Sequence, residues 1–166
     1  MELWNAYNKH LKKLPFFLIR GKRIPKGVYH IVSEMIVRHV DGSFLAMRRS
    51  HEKSRYPDCW EISAGGAVKR GETPYQGAVR ELKEETGIAS SDLTPIYRFV
   101  YPRCRCIYMG YFCTVDVDKD KIILQNGETS DYVWVPEHEV LGFIDRADYV
   151  NVQAERIRKV LKEITE

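Results

Sequence analysis

The chain has 166 residues, 44% hydrophobic and 30% charged, enough apolar material for one globular domain with a sizeable core. Its 26 Lys and Arg against 23 Asp and Glu leave a net charge of +3, too mild to point to a nucleic-acid polymer as partner. No apolar run is long enough to span a membrane, and the N-terminal MELWNAYNKHLKKL lacks the continuous apolar stretch of a signal peptide, so a cytoplasmic location is expected by default. Cys59, Cys104, Cys106 and Cys113 have neither disulfide-framework nor zinc-site spacing and are expected to be reduced.

In chain order, residues 3–7 and 16–20 read as two strands joined by the polar turn NKHLKK, with Pro15 placing the second at an edge. They predict a hairpin extension over residues 1–27, which ends in the basic loop GKRIPKG. Residues 29–40 are β-branched and apolar enough for a buried strand. Asp41-Gly42 is a strong hairpin signal, and residues 44–49 return as the partner strand. A charged loop over 50–57 follows, and residues 60–64 lead into a turn predicted at Gly65-Gly66.

Residues 66–88 read GAVKRGETPYQGAVRELKEETGI, and the second half of this stretch predicts a helix. Thr73 can cap it, Pro74 is tolerated in the first turn, and Gly87 can end it in a left-handed conformation. At about 3.6 residues per turn Glu81, Glu84 and Glu85 share one face, while Ala78, Val79, Leu82 and Thr86 form an adjacent, largely apolar arc. Like charges this close repel one another, and oxygen ligands this dense suit a hard cation such as Mg²⁺ or Mn²⁺. Gly77, inside the helix, marks either close approach by another segment or a tolerated defect.

Downstream, residues 93–101 and 106–117 read as strands. Tyr97, Phe99 and Tyr101 alternate onto one face, and Tyr111, Cys113, Val115 and Val117 onto another. Residues 132–135 form a short strand and Pro136 starts a helical turn. Residues 148–164 carry a helical pattern with Val152, Ile157, Val160, Leu161 and Ile164 as its apolar stripe. The order of strands, central helix, strands and terminal helix predicts a mixed α/β fold with helices on the sheet.

Gly66, Glu72, Arg80, Glu81, Glu84, Glu85 and Gly87, with aliphatic Leu82 and Ile88, match the Nudix box G-x5-E-x7-R-E-U-x-E-E-x-G-U at every specified position. The chain thus resembles the Nudix hydrolases, which cleave diphosphate linkages in small molecules. The resemblance implies a loop–helix–loop packed on a mixed sheet, and Glu84 and Glu85 as principal ligands of Mg²⁺ or Mn²⁺. Glu81 is implied as ligand, base or both. It further implies that Arg80 pairs with Glu72 and holds the loop on the helix, that the Gly65 carbonyl reaches a metal, and that a later carboxylate completes the site. Glu128 is the candidate for the last role, with Glu137 and Glu139 as competitors. A small-molecule diphosphate substrate is expected, and a homodimer is compatible with the family's habit.

Outside the box, LWNAYN, LIRGKRIPKGVYH and WEISAGGAVKRGE resemble bacterial relatives of isopentenyl-diphosphate isomerase, a rival activity on the same fold. That enzyme uses a cysteine just before the box glycine, where this chain has Gly65, and it typically lacks the glutamates represented here by Glu81 and Glu84. The intact carboxylates favour hydrolysis, and they also disfavour a non-catalytic nucleotide-sensing module. Arg48, Arg49, Arg55, Arg103 and Arg105 are candidate phosphate clamps, and no motif identifies the group attached to the diphosphate.

Overall fold

The structure, a computed structural model, describes residues 1–165. Two strands, β1 (Leu3–Tyr7) and β2 (Lys13–Ile19), form a separate antiparallel hairpin. The second begins earlier than expected. Its register shifts between Asn5 and Tyr7, so Pro15, which has no N–H to offer a ladder, falls in the irregular stretch.

A seven-stranded mixed sheet follows: β3 (His30–His39), β4 (Phe44–Arg49), β5 (Trp60–Glu61), β6 (Ala64–Ala67), β7 (Thr94–Tyr101), β8 (Cys106–Val115) and β9 (Thr129–Val135). Its centre is β3, which runs parallel to β8 along its whole length and antiparallel to β6. The expected hairpin turn is present, with Gly42 at φ +92°, but β3 and β4 pair only at Arg38 and Phe44 before they splay apart. From there β4 pairs with β5 and β9.

Strand alternation divides the apolar residues between two faces. Met35, Val37, Leu45 and Met47 pack with Tyr111, Cys113 and Val115 under Ala78 and Leu82 of α1 (Pro74–Thr86). Ile36, Phe44, Ala46 and Val135 face the other way, against α2 (Val140–Ile144) and α3 (Asn151–Thr165). The result is the expected mixed sheet between helices. The four cysteines are free.

Local chemistry explains α1 closely. The Thr73 hydroxyl accepts from the Gln76 amide and the Gln76 side chain accepts from the Thr73 amide, a reciprocal capping box. Pro74 occupies the first turn, and Gly87 ends the helix at φ +76° with its N–H on the Lys83 carbonyl. Ser33 Oγ of β3 donates to the Pro74 carbonyl at 2.6 Å, which fixes the helix start on the sheet.

Two expectations are corrected. Gly65 and Gly66 lie in the extended strand β6 rather than in a turn. In α3, Val152 is 40% exposed, and Gln153 is buried instead because its amide reaches the buried carboxylate of Glu61 at 3.0 Å.

His30 links the hairpin to the sheet: its ring stacks on Trp4 at 4.2 Å and 16°, and its buried Nδ1 has no hydrogen-bond partner among the described residues. Burial lowers its pKa to about 4. Between about 4 and the ordinary 6.5 the unfolded chain therefore binds more protons than the folded one, so stability rises with pH through that window. His30→Gln is expected to remove a pH-dependent difference on the order of 2 kcal/mol. Urea melts at pH 7 and pH 5 on both proteins measure it, and equal pH slopes would contradict it.

Candidate active site

The loop before α1 and the helix face behind it enclose a polar cavity of about 290 Å³. Gly65, Gly66 and Ala67 line it from β6, Glu81, Glu84 and Glu85 from α1, and Gln125 and Glu128 from the segment before β9. Glu2, Trp4 and Arg20 of the hairpin region, with Lys53 and Lys69, complete the wall. Glu81, Glu84, Glu85, Gly65, Gly66 and Glu128 are thus brought together, whereas Glu137 and Glu139 do not line it. Glu137 pairs instead with Arg38.

The helix spacing sets Arg80 beside the acidic face, but its long side chain folds back into the centre of the site. Nε donates to Glu72 Oε1 at 2.6 Å and Nη2 to Glu72 Oε2 at 2.9 Å, a bidentate fork. Nη2 also reaches the Ala67 carbonyl at 3.1 Å, and Nη1 meets Glu81 at 2.6 Å and Glu84 at 3.0 Å. The expected clasp between loop and helix is present and extends to two of the three helix carboxylates. Two carboxylates about 5–6 Å apart repel by about 3 kcal/mol at an effective dielectric of about 20, so a guanidinium shared between them offsets a substantial term.

The carboxylates are not equivalent. The Arg80 fork holds Glu72 below the usual carboxylate range, helped by the Lys69 amide. Burial raises Glu81, against the opposing charge of Arg80. Burial raises Glu85 most strongly, and the neighbouring charges of Glu61, Glu81 and Glu128 add to it. The Gly65 amide, 2.7 Å from Glu85 Oε2, opposes that rise.

Close approach by backbone requires the glycine at 65, and the one at 66 makes room for the Glu81 carboxylate. A Cβ on Gly66 would lie 2.5 Å from the Glu81 carboxyl carbon. One on Gly65 would collide with the Ser33 carbonyl and come within 2.9 Å of Glu34 Cα. Gly77 likewise faces Val68 Cγ2, which a Cβ would approach to 2.9 Å, as its place inside the helix suggested.

Among the described residues, no three His, Cys, Asp or Glu side chains are gathered as a ready cation-binding set. The cause is visible in the pairing: Arg80 draws in Glu81 and Glu84, Gly65 N–H engages Glu85, and Lys53 engages Glu128. The donors themselves are all oxygen, and Glu85 has no cationic side chain paired with it among the described residues. A buried carboxylate raised by three others is chemically suited to a hard dication.

Two functional-looking carboxylates escaped the sequence reading. Glu34, in the middle of β3, accepts from Tyr97 Oη, from Arg156 Nη2 at 2.8 Å and from Ser63 Oγ at 3.3 Å. Glu61 of β5 accepts from Arg49 at 2.9 Å and from Gln153. The available signal was a lone acid inside an apolar strand, IVSEMIV and WEIS, which demands a buried partner.

A mixed sheet between helices, with a capped carboxylate helix clasped to a glycine strand, defines a mixed α/β protein with a loop–helix–loop acidic site. Residues 28–160 match the family model for the NUDIX domain, so the chain belongs to the Nudix hydrolase family. It is similar to an uncharacterized Nudix hydrolase of Listeria innocua, 27% identical over 90% of this chain and 89% of that one. An isopentenyl-diphosphate Delta-isomerase of Salmonella heidelberg is 31% identical over 63% of this chain and 61% of its own length. Among solved structures, a Deinococcus radiodurans protein shares the fold with a TM-score of 0.78 at 23% identity, covering 96% of this chain and 99% of its own.

Removing the clasp tests the geometry. Arg80→Ala is expected to lower stability by about 2 kcal/mol, less than the full cost of breaking a buried pair because the site is partly open. Arg80→Lys should recover only part of this, since a point charge cannot fork across Glu72 while reaching Ala67. Urea denaturation of the three proteins gives the values, and an unchanged midpoint in Arg80→Ala would refute the clasp.

Proposed function

We propose that the chain acts as a single domain over residues 1–166 that hydrolyses a diphosphate linkage in a small organic diphosphate, such as a nucleoside diphosphate linked to a further group. The observation that carries this reading is the convergence of Glu81, Glu84, Glu85 and Glu128 with Gly65 on one polar cavity. Glu84 and Glu85 would hold a divalent cation, Mg²⁺ or Mn²⁺, with Glu81, Glu128 and the Gly65 carbonyl as further oxygen donors. When bound, such a cation neutralises phosphate charge and lowers the pKa of water.

The chain's own residues supply the rest. Arg80 orients Glu81 and Glu84 and ties them to the loop through Glu72. Glu81, held by Arg80 at the edge of the cluster, would be ligand, base or both, and which carboxylate accepts the proton from an attacking water is left to the variants. Arg20, Lys53 and Lys69 on the cavity wall pair with Glu2, Glu128 and Glu84, and would be freed to meet phosphate oxygens where a cation took those carboxylates.

The isomerase reading is disfavoured by a steric observation. A cysteine in place of Gly65 would drive its Cβ into the Ser33 carbonyl and Glu34 backbone, so the position does not accept that enzyme's acid without moving β3.

Product analysis with Mg²⁺ or Mn²⁺ across a diphosphate panel that includes isopentenyl diphosphate tests the proposal. Metal-dependent cleavage is expected, reduced by about a hundredfold or more in Glu84→Gln. Conversion of isopentenyl to dimethylallyl diphosphate without phosphate release would establish the isomerase instead. Ligand-induced thermal stabilisation with no turnover anywhere would establish a sensing module.

A further inference from the structure

A second cavity, of about 450 Å³, opens between the β4–β5 loop, the β7–β8 turn and the start of α3. Arg49, Arg55 and Arg103 line it together with Tyr56, Tyr101 and Cys104, and none of its lining residues is acidic. The charge of Arg49 is met by Glu61. Those of Arg55 and Arg103 are not: both side chains are exposed, and neither forms an ion pair among the described residues. The Arg55 guanidinium donates to Cys104 Sγ at 2.7 Å. Its backbone carbonyl accepts from Arg49 Nε and Nη2 at 3.2 and 3.1 Å, which holds this part of the loop against β4.

This cavity neighbours the carboxylate site across one small hollow. A smaller hollow of about 90 Å³ shares Arg49, Tyr108 and Gln153 with the arginine cavity and Gly65 with the carboxylate cavity. The three hollows thus adjoin through shared wall residues, with Glu85 lining the first and Arg55 the last. A ligand spanning them would place its first part at the carboxylates and its far end beside two guanidinium groups that form no ion pair among the described residues. Each guanidinium is a planar fork that matches a phosphate oxygen pair.

We propose that the arginine cavity binds the far end of the substrate, and that this end is itself anionic: a phosphate monoester carried by the group attached to the scissile diphosphate. Arg55 and Arg103 grip that phosphate, with the Tyr56 and Tyr101 hydroxyls as further donors. Discrimination arises because a substrate lacking the second phosphate leaves both guanidinium groups without a partner. The proposal rests on the reading of the carboxylate cavity as the diphosphate site.

Two pairs of diphosphate compounds differing by one phosphate monoester test it: NADH with NADPH, and dephospho-coenzyme A with coenzyme A. Calorimetric titration of the intact protein, with and without Ca²⁺ as the hard dication, should show the phosphorylated member of at least one pair binding about tenfold tighter or more, and no binding of any member in either condition would overturn the proposal. In an Arg55→Gln, Arg103→Gln double variant that preference should vanish, while binding of the partner compound and the thermal midpoint stay unchanged, as expected for exposed side chains. Inorganic phosphate should compete for the preference and leave the unphosphorylated compound unaffected.

Equal affinity within both pairs would overturn the proposal, as would a preference that survives the double variant. Tight binding of both members that is lost in Tyr56→Ala or Tyr101→Ala, but not in the arginine variant, would overturn it in favour of a stacked base. Turnover with Mg²⁺ is read separately on the same compounds. Phosphate-dependent binding without cleavage keeps this proposal and removes the hydrolase reading. Cleavage without any phosphate preference does the reverse.

Discussion

The site depends on one side chain, Arg80, which holds four groups that would otherwise have no reason to stay together. Glu72 and the Ala67 carbonyl precede the helix, and Glu81 and Glu84 belong to it. A helix carrying three neighbouring carboxylates is electrostatically unfavourable alone, and the loop between β6 and α1 costs conformational entropy to order. One guanidinium answers both problems, because five donors on a rigid plane can engage loop and helix at once. The glycine at position 66 follows from the same geometry, since Glu81 occupies the space where any side chain would begin. The loop can therefore be neither looser nor bulkier without displacing the carboxylates.

The clasp works only because the sheet beneath it is fixed on both faces. β3 supplies Met35 and Val37 to the α1 side and Ile36 to the α2–α3 side, so its register cannot slip by one residue without inverting both cores. Glu34 adds a polar lock to the same strand. Arg156 of α3 reaches it at 2.8 Å while its guanidinium lies over Tyr97, Phe99 and Tyr108, at 5.4, 5.0 and 4.6 Å from their ring centres. Breaking such a pair leaves a buried charge, so this cluster ties the last helix to the strand that supports β6 and, through it, the glycine wall of the site.

Much of this was legible in the sequence because it is written in local rules. The capping box at Thr73, the proline after it, the left-handed Gly87 and the i, i+3, i+4 glutamates all depend on residues within one or two turns of each other. The course of β3 and β4 followed from composition, and their separation after a single bridging pair did not, because pairing partners come from distant β6, β8 and β9. Gly65-Gly66 was read as a turn since glycine pairs usually mark one, whereas here the missing Cβ atoms admit Ser33 and Glu81 from elsewhere in the chain. Gln153 was hidden for the same reason. A polar residue becomes a core residue only when a buried partner, Glu61, is already across from it.

The charges left without partners are as informative as those that are paired. Burial raises Glu85, the charges of Glu61, Glu81 and Glu128 add to it, and among the described residues only the Gly65 amide meets it. A fold under no demand beyond stability would replace such a group or pair it, because an uncompensated buried carboxylate is costly. In the neighbouring cavity, Arg55 and Arg103 line a concave wall and form no ion pair among the described residues. Between the two ends, Arg49 binds Glu61 and the carbonyl of Arg55, so the same residue that moderates charge next to Glu85 also shapes the arginine cavity. Negative excess at one end and positive excess at the other is the complement of a ligand that brings a cation with its diphosphate and carries a further anion beyond it. Each end then supplies the counter-charge that the protein itself withholds, and binding rather than folding satisfies both.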